Sequence, residues 1–299
     1  MNQNNYHKSV LFSEVLEALN IIPDEVYLDC TLGGGGHTEG ILKFAGKVIA
    51  LDVDQDAIDN AKKKFGLAEA DGVWVAPGGR LTIIKENFQN LDKALSLAGV
   101  EKVGGVLFDL GVSSYMFDTP ERGFSFTKEG PLDMRMDQRL TVKASDLINA
   151  LNEGELYELF TRLGEVSNAR PIARNICRSR LEKKIETTED LAKIVKEVSK
   201  NWKGDIDPAT KVFMALRIAV NDELNALKVA LPKATAHMKL GARLVALSFH
   251  SLEDRIVKEF IRDSRELKSL TEKPIVPSEA ELSENRRSRS VKMRVAEKQ

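Results

Sequence analysis

Residues 27–37 read Tyr-Leu-Asp-Cys-Thr-Leu-Gly-Gly-Gly-Gly-His, and this stretch decides the fold that the sequence predicts. Its first part is an apolar strand, and its glycines form a turn before a helix that starts near His37. Glycine lets a backbone approach a ligand closely and adopt positive φ angles. The start of the helix adds unpaired N–H groups and the positive end of its dipole. The stretch therefore predicts a turn that receives a ligand.

A second acidic strand end follows this glycine turn. Residues 51–54 read Leu-Asp-Val-Asp, which places Asp52 at the end of the next predicted strand, 47–52. An acid about 20 residues beyond a glycine turn is well placed to hydrogen-bond a ribose diol. Asp29, just before the turn, adds a carboxylate that can face a cationic group. Together the two acids predict a nucleoside-containing cofactor above the carboxyl ends of parallel strands.

The spacing of the glycines distinguishes among nucleoside cofactors. The dinucleotide pattern Gly-x-Gly-x-x-Gly fails, because its last position is Thr38 when counted from Gly33 and Glu39 when counted from Gly34. A phosphate-binding loop fails too, because no lysine follows the glycines. S-adenosylmethionine fits what remains, since it has a ribose and a cationic amino-acid end but no pyrophosphate. The alternative, a tight turn without a ligand, would leave Asp52 as a coincidence.

Composition limits the kind of protein. The chain has 299 residues, 42% of them hydrophobic and 30% charged, which is enough for two structural units. Its net charge of −1 excludes a basic surface over the whole molecule, so any nucleic-acid contact must be local. Two distant cysteines and four scattered histidines lead us to expect no metal. With few cysteines, no signal peptide and no membrane-spanning apolar run, we expect a cytoplasmic protein.

Strands and helices alternate over the first 110 residues, which predicts an α/β fold with a doubly wound parallel sheet. Ligands of such sheets bind at the carboxyl ends of the strands. Besides the two acids above, Asp109 ends an apolar strand and Phe88 follows another. A late strand, 243–249, leads to His250 and should return to the same sheet.

The middle of the chain interrupts this alternation. Residues 115–140 have no sustained period but contain aromatics and methionines, which predicts a lid or substrate loop. Residues 142–200 read as helices, and 209–231 as one long helix. We therefore predict a discontinuous main domain, 1–114 and 209–299, and an inserted helical subdomain, 115–208. Residues 71–80 are predicted as a loop and 290–296 as an edge strand.

Longer motifs follow the glycine turn. They are Asp-Leu-Gly-Val-Ser-Ser at 109–114, Glu-Arg-Gly-Phe-Ser-Phe at 121–126, Gly-Pro-Leu-Asp-Met-Arg-Met-Asp at 130–137, Ala-Leu-Arg-Ile-Ala-Val-Asn-Asp-Glu-Leu at 215–224 and Ser-Phe-His-Ser-Leu-Glu-Asp-Arg-Ile-Val-Lys at 248–258. In this order the set closely resembles the bacterial small-subunit rRNA cytosine-N4 methyltransferases, the MraW/RsmH family, over nearly the whole length. The resemblance implies a class I S-adenosylmethionine-dependent methyltransferase fold with a helical insertion. It also implies methylation of the exocyclic N4 of a cytosine in the decoding region of 16S rRNA, with the assembled or assembling 30S subunit as partner.

The resemblance also implies a cofactor site. The positions that match the family's cofactor-binding residues are Gly35, Gly36, His37, Asp52, Phe88 and Asp109. Two positions depart from the family, which usually has glutamine where this chain has Met116 and Met214. A thioether cannot replace the hydrogen bonds of an amide, so we expect no equivalent cofactor contact at Met116.

Methyl transfer from a sulfonium is an in-line displacement in which positioning is the main catalytic task. Asp109 is expected to hold the methionyl amine of the cofactor, with a contact to the cytosine amine as the alternative. Ser113 and Ser114 are candidates for that cytosine contact. His250 is a candidate proton acceptor, because histidine takes up protons near neutral pH, and a satisfied core histidine is the equal alternative.

The target base must leave its stack to reach the methyl group. Tyr115 is a candidate for packing on the base, and Arg135 for contacting the RNA. Arg170, Arg174 and Arg178 recur at every fourth residue and predict an arginine face that could hold phosphates. A solvated helix face is an equal alternative for them. Two other functions compete: a small-molecule methyltransferase, and a nucleotide- or RNA-binding protein without catalysis.

Overall fold

The structure, a computed structural model, describes residues 9–199 and 207–299 and divides the chain into two compact units. Unit 1 contains residues 1–111 and 224–299, and unit 2 contains residues 112–223. These bounds differ from the predicted 115 and 208. The reason is that the helix over residues 208–221 packs on helices of unit 2. The predicted helical end at Lys200 lies outside the described residues.

Nine strands and thirteen helices are found in the described ranges. The strands are β1 (Val26–Asp29), β2 (Lys47–Asp52), β3 (Ala68–Ala70), β4 (Val73–Val75), β5 (Leu81–Lys85), β6 (Val103–Asp109), β7 (Met238–Ser248), β8 (Leu267–Ser269) and β9 (Lys292–Lys298). The helices are α1 (Phe12–Leu19), α2 (Gly36–Lys43), α3 (Gln55–Phe65), α4 (Leu91–Leu97), α5 (Ser114–Asp118), α6 (Ala144–Ala150), α7 (Glu153–Gly164), α8 (Ala169–Glu182), α9 (Thr188–Glu197), α10 (Pro208–Asn221), α11 (Glu223–His237), α12 (Ser251–Asp263) and α13 (Glu279–Glu284).

Unit 1 is built on one sheet with the strand order β3-β4-β5-β2-β1-β6-β7-β9-β8. Its five central strands, from β5 to β7, are parallel, so the predicted α/β class is confirmed. Asp29 pairs with Ala50 and with Leu107, and Asp109 pairs with Leu247. The carboxyl ends of β1, β2, β6 and β7 therefore meet at one edge of the sheet, where ligands of such folds bind.

Two apolar layers enclose this sheet, because successive strand residues point to opposite faces. Leu28 and Val106 belong to one buried cluster, and Tyr27 and Leu107 belong to the other. Gly105 lies beside the Tyr27 ring, which a Cβ there would approach to 2.9 Å. The central strands are thus covered on both faces, as expected for a parallel sheet.

Two sequence predictions for the rim of the sheet need correction. Residues 71–80 were predicted as a loop, but Val73–Val75 within this range form β4, which pairs with β3 and with β5, and only the remaining residues are turn or loop. Asp71 and Gly72 join β3 to β4 with φ angles of 51° and 80°, which is the turn that Asp-Gly favours between twisted strands. β9 was predicted as an edge strand, but it pairs with β7 on one side and with β8 on the other.

Unit 2 is a set of helices, α5 to α10, around its own buried cluster. The segment predicted as a lid or substrate loop contributes Leu132 and Met134 to that cluster, and both are almost completely buried. The predicted single helix 209–231 is two helices, because Asp222 adopts φ 50° and ends α10. In this way the chain leaves unit 1 after β6 and re-enters it in α11.

Candidate cofactor site at the carboxyl edge of the sheet

The carboxylate of Asp29 ties the glycine turn to the helix behind it. The Thr31 N–H donates to Asp29 Oδ1 at 3.1 Å, and the Thr38 hydroxyl donates to Oδ2 at 2.7 Å. Burial raises the pKa of the Asp29 carboxyl, while the bond from Thr38 opposes this shift. The prediction that Asp29 faces a cationic group stays a prediction, since both of its oxygens already serve the turn.

Asp52 holds the other end of the same turn. The Gly33 N–H donates to its Oδ2, and the Asp54 N–H donates to its Oδ1, both at 2.9 Å. Burial raises the pKa of the Asp52 carboxyl to about 6, against the lowering effect of these two donors. A carboxylate has about four lone-pair sites, so two directions remain for ribose hydroxyls. The half-buried Asp52 therefore fits the ribose role.

The glycines of the turn are needed for different reasons. Gly33 and Gly35 have φ angles of 48° and 69°, which L side chains rarely adopt. A Cβ on Gly35 would lie 2.9 Å from the Phe65 ring, and one on Gly36 would collide with the Ser9 hydroxyl. Close internal packing thus explains Gly35 and Gly36 without a ligand. Their assignment to the cofactor stays a prediction.

His37 and Asp109 form a polar pair with unused hydrogen-bonding capacity. His37 Nε2 lies 3.5 Å from Asp109 Oδ2, and the imidazole is stacked on the Phe12 ring at 6.0 Å between centroids. Within the described residues, neither ring nitrogen of His37 nor Asp109 Oδ1 has a hydrogen-bond partner, although these atoms are buried. Buried polar atoms without partners are uncommon and call for an explanation. A polar ligand bound at the sheet edge would satisfy these atoms.

Phe88 supplies an aromatic ring at the same edge of the sheet as Asp52 and Asp109. It follows β5, which is next to β2, and the Asn87 side chain caps the short 3₁₀ turn that begins there. The Phe88 ring is half-buried and packs edge-on against Phe108 at 5.8 Å between centroids. A partly exposed aromatic ring at the carboxyl end of a strand suits the flat base of a nucleoside.

His250, predicted as a proton acceptor, begins α12 as its N-cap. The Glu253 N–H donates to His250 Nδ1 at 3.4 Å, and Glu253 Oε2 accepts the N–H groups of Phe249 and His250. His250 Nε2 lies 3.1 Å from Glu253 Oε1. Nδ1 is therefore used at the helix start, whereas Nε2 is buried and has no hydrogen-bond partner among the described residues, and a catalytic role for His250 stays a prediction.

The candidates for the cytosine belong to unit 2. Ser113 caps α5 by accepting the Met116 N–H at 3.3 Å, and Ser114 is mostly buried. Tyr115 is the most exposed of them, with 37% of its surface open to solvent. Met116, where the family usually has glutamine, lies in the apolar cluster of this unit. Its thioether therefore serves packing.

The arginines predicted to contact RNA fall into two groups. Arg135 directs Nε and Nη2 to the carboxylate of Asp133, both at 2.8 Å, and Nη1 to the Leu140 carbonyl, so it holds the loop together. The three arginines of α8 are exposed, which is compatible with an RNA-binding face and with a solvated one. Their contacts are Arg170 over the Tyr157 ring, Arg174 at 3.5 Å from Glu153, and Arg178 donating to Asn175.

Sequence reasoning missed three residues of the site. Thr31, Thr38 and Asp54 bind the two acids or cap the neighbouring helix, and the polar residues inside and after the glycine motif were the available signal. Among the described residues, no group of three His, Cys, Asp or Glu side chains could hold a metal ion. In the same ranges, no helix is long and apolar enough to cross a bilayer.

A sheet with this parallel centre, glycine turn and acidic strand ends belongs to the class I methyltransferase type that the sequence predicted. The family model described as the MraW methylase family matches residues 4–299, so the chain belongs to that family. The expected family is thereby confirmed.

Two solved structures resemble the chain remotely. An rRNA methylase from Streptococcus thermophilus is 12% identical, with 97% of each chain covered and a TM-score of 0.43. A Streptococcus mutans protein assigned as a methyltransferase, in complex with SAH, is 11% identical over 98% of this chain and 100% of that chain, with a TM-score of 0.45.

Proposed function

We propose that this protein is an S-adenosylmethionine-dependent methyltransferase that methylates the exocyclic N4 of a cytosine in small-subunit rRNA. The observation that carries the proposal is the set of buried polar atoms on His37 and Asp109, at the carboxyl edge of the sheet, that find no partner among the residues the structure describes, in a member of a methylase family. A cofactor with both a ribose and a charged amino-acid end would use the acids that line this edge. We further propose that the enzyme acts in the cytoplasm.

The residues present fit S-adenosylmethionine, which supplies a methyl group activated by the positive charge of its sulfonium. Asp52 would accept the ribose hydroxyls, because each of its oxygens keeps acceptor capacity after binding a backbone N–H. Asp109 Oδ1 would accept from the methionyl amine, and the Phe88 ring would pack on the adenine. These three contacts would fix the position of the cofactor at the end of the sheet.

Unit 2 is proposed to bind the RNA. Exposed Tyr115 would pack on the cytosine after it leaves its stack, and the capping Ser113 and the neighbouring Ser114 would lie close to its amine. The arginine face of α8 would hold the phosphate backbone. Arg135 would act indirectly, by holding the loop, because its donors are bound within it. His250 is kept as a candidate proton acceptor.

Labelled S-adenosylmethionine and small subunits from cells that lack this enzyme provide the test. Label should enter rRNA, and nucleoside digestion followed by mass spectrometry should identify N4-methylcytidine. Asp52→Ala should abolish both cofactor binding and labelling, whereas the matched control Asp59→Ala, at an exposed site on α3, should keep both. Intact cofactor binding without labelled rRNA would reject this substrate and favour a small molecule or a purely binding role.

A further inference from the structure

Thr31 meets Asp109 at the point where the backbone ladder between their strands ends. The pairing of β1 with β6 stops at Asp29 and Leu107, and the Cys30 N–H still donates to the Leu107 carbonyl at 2.9 Å. The next N–H of β6 that faces β1 belongs to Asp109. It donates at 2.7 Å to the Thr31 hydroxyl oxygen, so a side-chain oxygen replaces the backbone carbonyl that would accept this bond in a continued strand pair.

This contact is part of a polar ring formed by Asp29, Thr31, Asp109, His37 and Thr38. Asp29 accepts from the Thr31 N–H and from the Thr38 hydroxyl, and the Thr31 hydroxyl accepts from Asp109. His37, adjacent to Thr38 in α2, lies 3.5 Å from the Asp109 carboxylate. The ring therefore joins β1, the glycine turn, the start of α2 and the end of β6.

We propose that Thr31 is a positioning residue for Asp109: by accepting the Asp109 N–H, its hydroxyl holds the backbone from which the Asp109 carboxylate projects before the cofactor binds. The inference rests on the proposed function, because it assigns to Asp109 the methionyl amine of S-adenosylmethionine. Thr31 is itself held from two sides, since its N–H is bound to Asp29 and its hydroxyl to Asp109. The β-branched side chain of threonine is also stiff at χ1, which keeps the hydroxyl in place.

Removal of this hydroxyl should weaken cofactor binding. Thr31→Val keeps the shape but leaves the Asp109 N–H without its acceptor, so the end of β6 must shift to find another. We expect cofactor affinity, measured by calorimetry with S-adenosylmethionine or its demethylated product, to fall by about tenfold. Thr31→Ser keeps the acceptor and should stay within about twofold of the wild type.

Thr235→Val is the matched control. Thr235 is buried in α11 of the same unit, and its hydroxyl donates to the Leu231 carbonyl, away from the polar ring. The same chemical change there should leave cofactor affinity unchanged. A Thr31→Val protein that binds as well as the wild type would overturn the inference, and so would equal losses for Thr31→Ser and Thr31→Val.

A double-mutant cycle tests whether Thr31 acts through Asp109. Asp109→Asn keeps the size and one acceptor oxygen but removes the charge, so binding should be weakened and still measurable. In the Asp109→Asn background, Thr31→Val should lower cofactor affinity by much less than tenfold, because the carboxylate that Thr31 positions is already absent. A fully additive loss would overturn the inference. Failure of the wild-type protein to bind the cofactor would instead reject the proposed function.

Discussion

Asp52 holds the glycine turn and keeps acceptor capacity for a ligand. Each of its oxygens accepts one backbone N–H, from Gly33 and from Asp54, which leaves a second lone pair on each. Its environment resists the charge that this arrangement needs, since burial raises the pKa of Asp52 to about 6. Ribose hydroxyls would bind the ionised form, so the protonation of Asp52 and the binding of cofactor should be linked.

We predict that cofactor affinity falls as the pH drops below about 6. Two N–H donors already point at the carboxylate, so protonation of Asp52 places a hydrogen where a donor or a ribose hydroxyl lies. The loss should approach about tenfold per pH unit in the acidic limb and vanish above neutrality. Calorimetry between pH 5 and 8 measures it. A flat profile would contradict the linkage, and Asp59→Asn on α3 should reproduce the wild-type profile.

In the protein without cofactor, the Asp52 carboxyl makes folding stability depend on pH in the opposite direction to cofactor affinity: stability rises as the pH falls. The pKa of an aspartate in an unfolded chain is about 3.9, below the pKa of about 6 that burial gives Asp52 in the folded protein. The ionised side chain therefore destabilises the fold above pH 6, and this contribution disappears as the pH falls towards 4. In Asp52→Ala this component should be missing from the pH dependence of the unfolding midpoint, measured against wild type across that window.

The sequence predicts which residue types form the candidate site and at which strand ends they lie. It does not predict their hydrogen-bond partners. Asp29, Asp52 and Asp109 were identified because acids at strand ends are visible in the residue order. The sequence did not reveal that the Thr31 N–H and the Thr38 hydroxyl donate hydrogen bonds to the Asp29 carboxylate. Those bonds depend on the path of the backbone through the glycine turn, which no periodicity encodes.

At the scale of elements, His250 lies at the start of α12, and substitutions there can distinguish its role as a helix cap from a role as proton acceptor. We predict that His250→Ala lowers the free energy of unfolding by about 1 kcal/mol, because the cap for the Glu253 N–H is lost. Asparagine is a good N-cap, so His250→Asn should restore most of this stability in denaturant titrations. If the imidazole accepts the proton, His250→Asn should lower kcat while cofactor affinity stays unchanged. Wild-type kcat in His250→Asn would leave only the capping role.

The loop before α6 depends on one glycine. Gly123 has φ 73°, and a Cβ there would collide with the Pro131 carbonyl and lie 2.7 Å from the Asp133 N–H. Gly123→Ala should therefore destabilise unit 2 by roughly 3 kcal/mol or more, since backbone atoms must move. Gly72→Ala is the control: φ is 80° but the surroundings are open, so only about 1 kcal/mol should be lost. Equal shifts of the two unfolding midpoints would contradict the steric argument.

The elements that sequence predicted correctly are those whose signal is local. The apolar runs of β1, β2 and β6 could be identified because each carries its own pattern. β9 looked like an edge strand because its alternation is compatible with one exposed side, whereas its second partner, β8, is only three residues long. The β3–β4 hairpin was missed because Gly and Pro dominated the region and masked the Asp-Gly turn signal.

At the scale of the whole molecule, the two units carry different sets of candidate binding residues. Unit 1 carries the acids, the imidazole and the aromatic ring of the proposed cofactor site, whereas unit 2 carries the arginine face of α8. The net charge of the chain is only −1, so a polyanion would be attracted by such local faces and not by the molecule as a whole. Contacts of Lys or Arg with phosphates release counterions, which makes binding fall steeply with salt.

We predict that Arg170→Gln with Arg174→Gln weakens binding to small subunits and flattens its salt dependence. Both arginines are exposed on α8, and their contacts to Tyr157 and Glu153 are compatible with a second partner. Loss of two phosphate contacts should reduce the slope of log affinity against log salt by about 2. Filter binding or calorimetry across a range of salt concentrations measures that slope.

The matched control for this double variant removes two exposed positive charges from unit 1. Lys43→Gln with Arg262→Gln changes the net charge by the same amount at sites that pair with Glu39 and Asp263. A phosphate contact is local, so the control should keep the wild-type slope, whereas a general charge effect would flatten both slopes alike. Cofactor affinity should be unchanged in both proteins, because the acids and the imidazole of unit 1 are untouched. A wild-type slope in the α8 variant would mean that the face is only solvated.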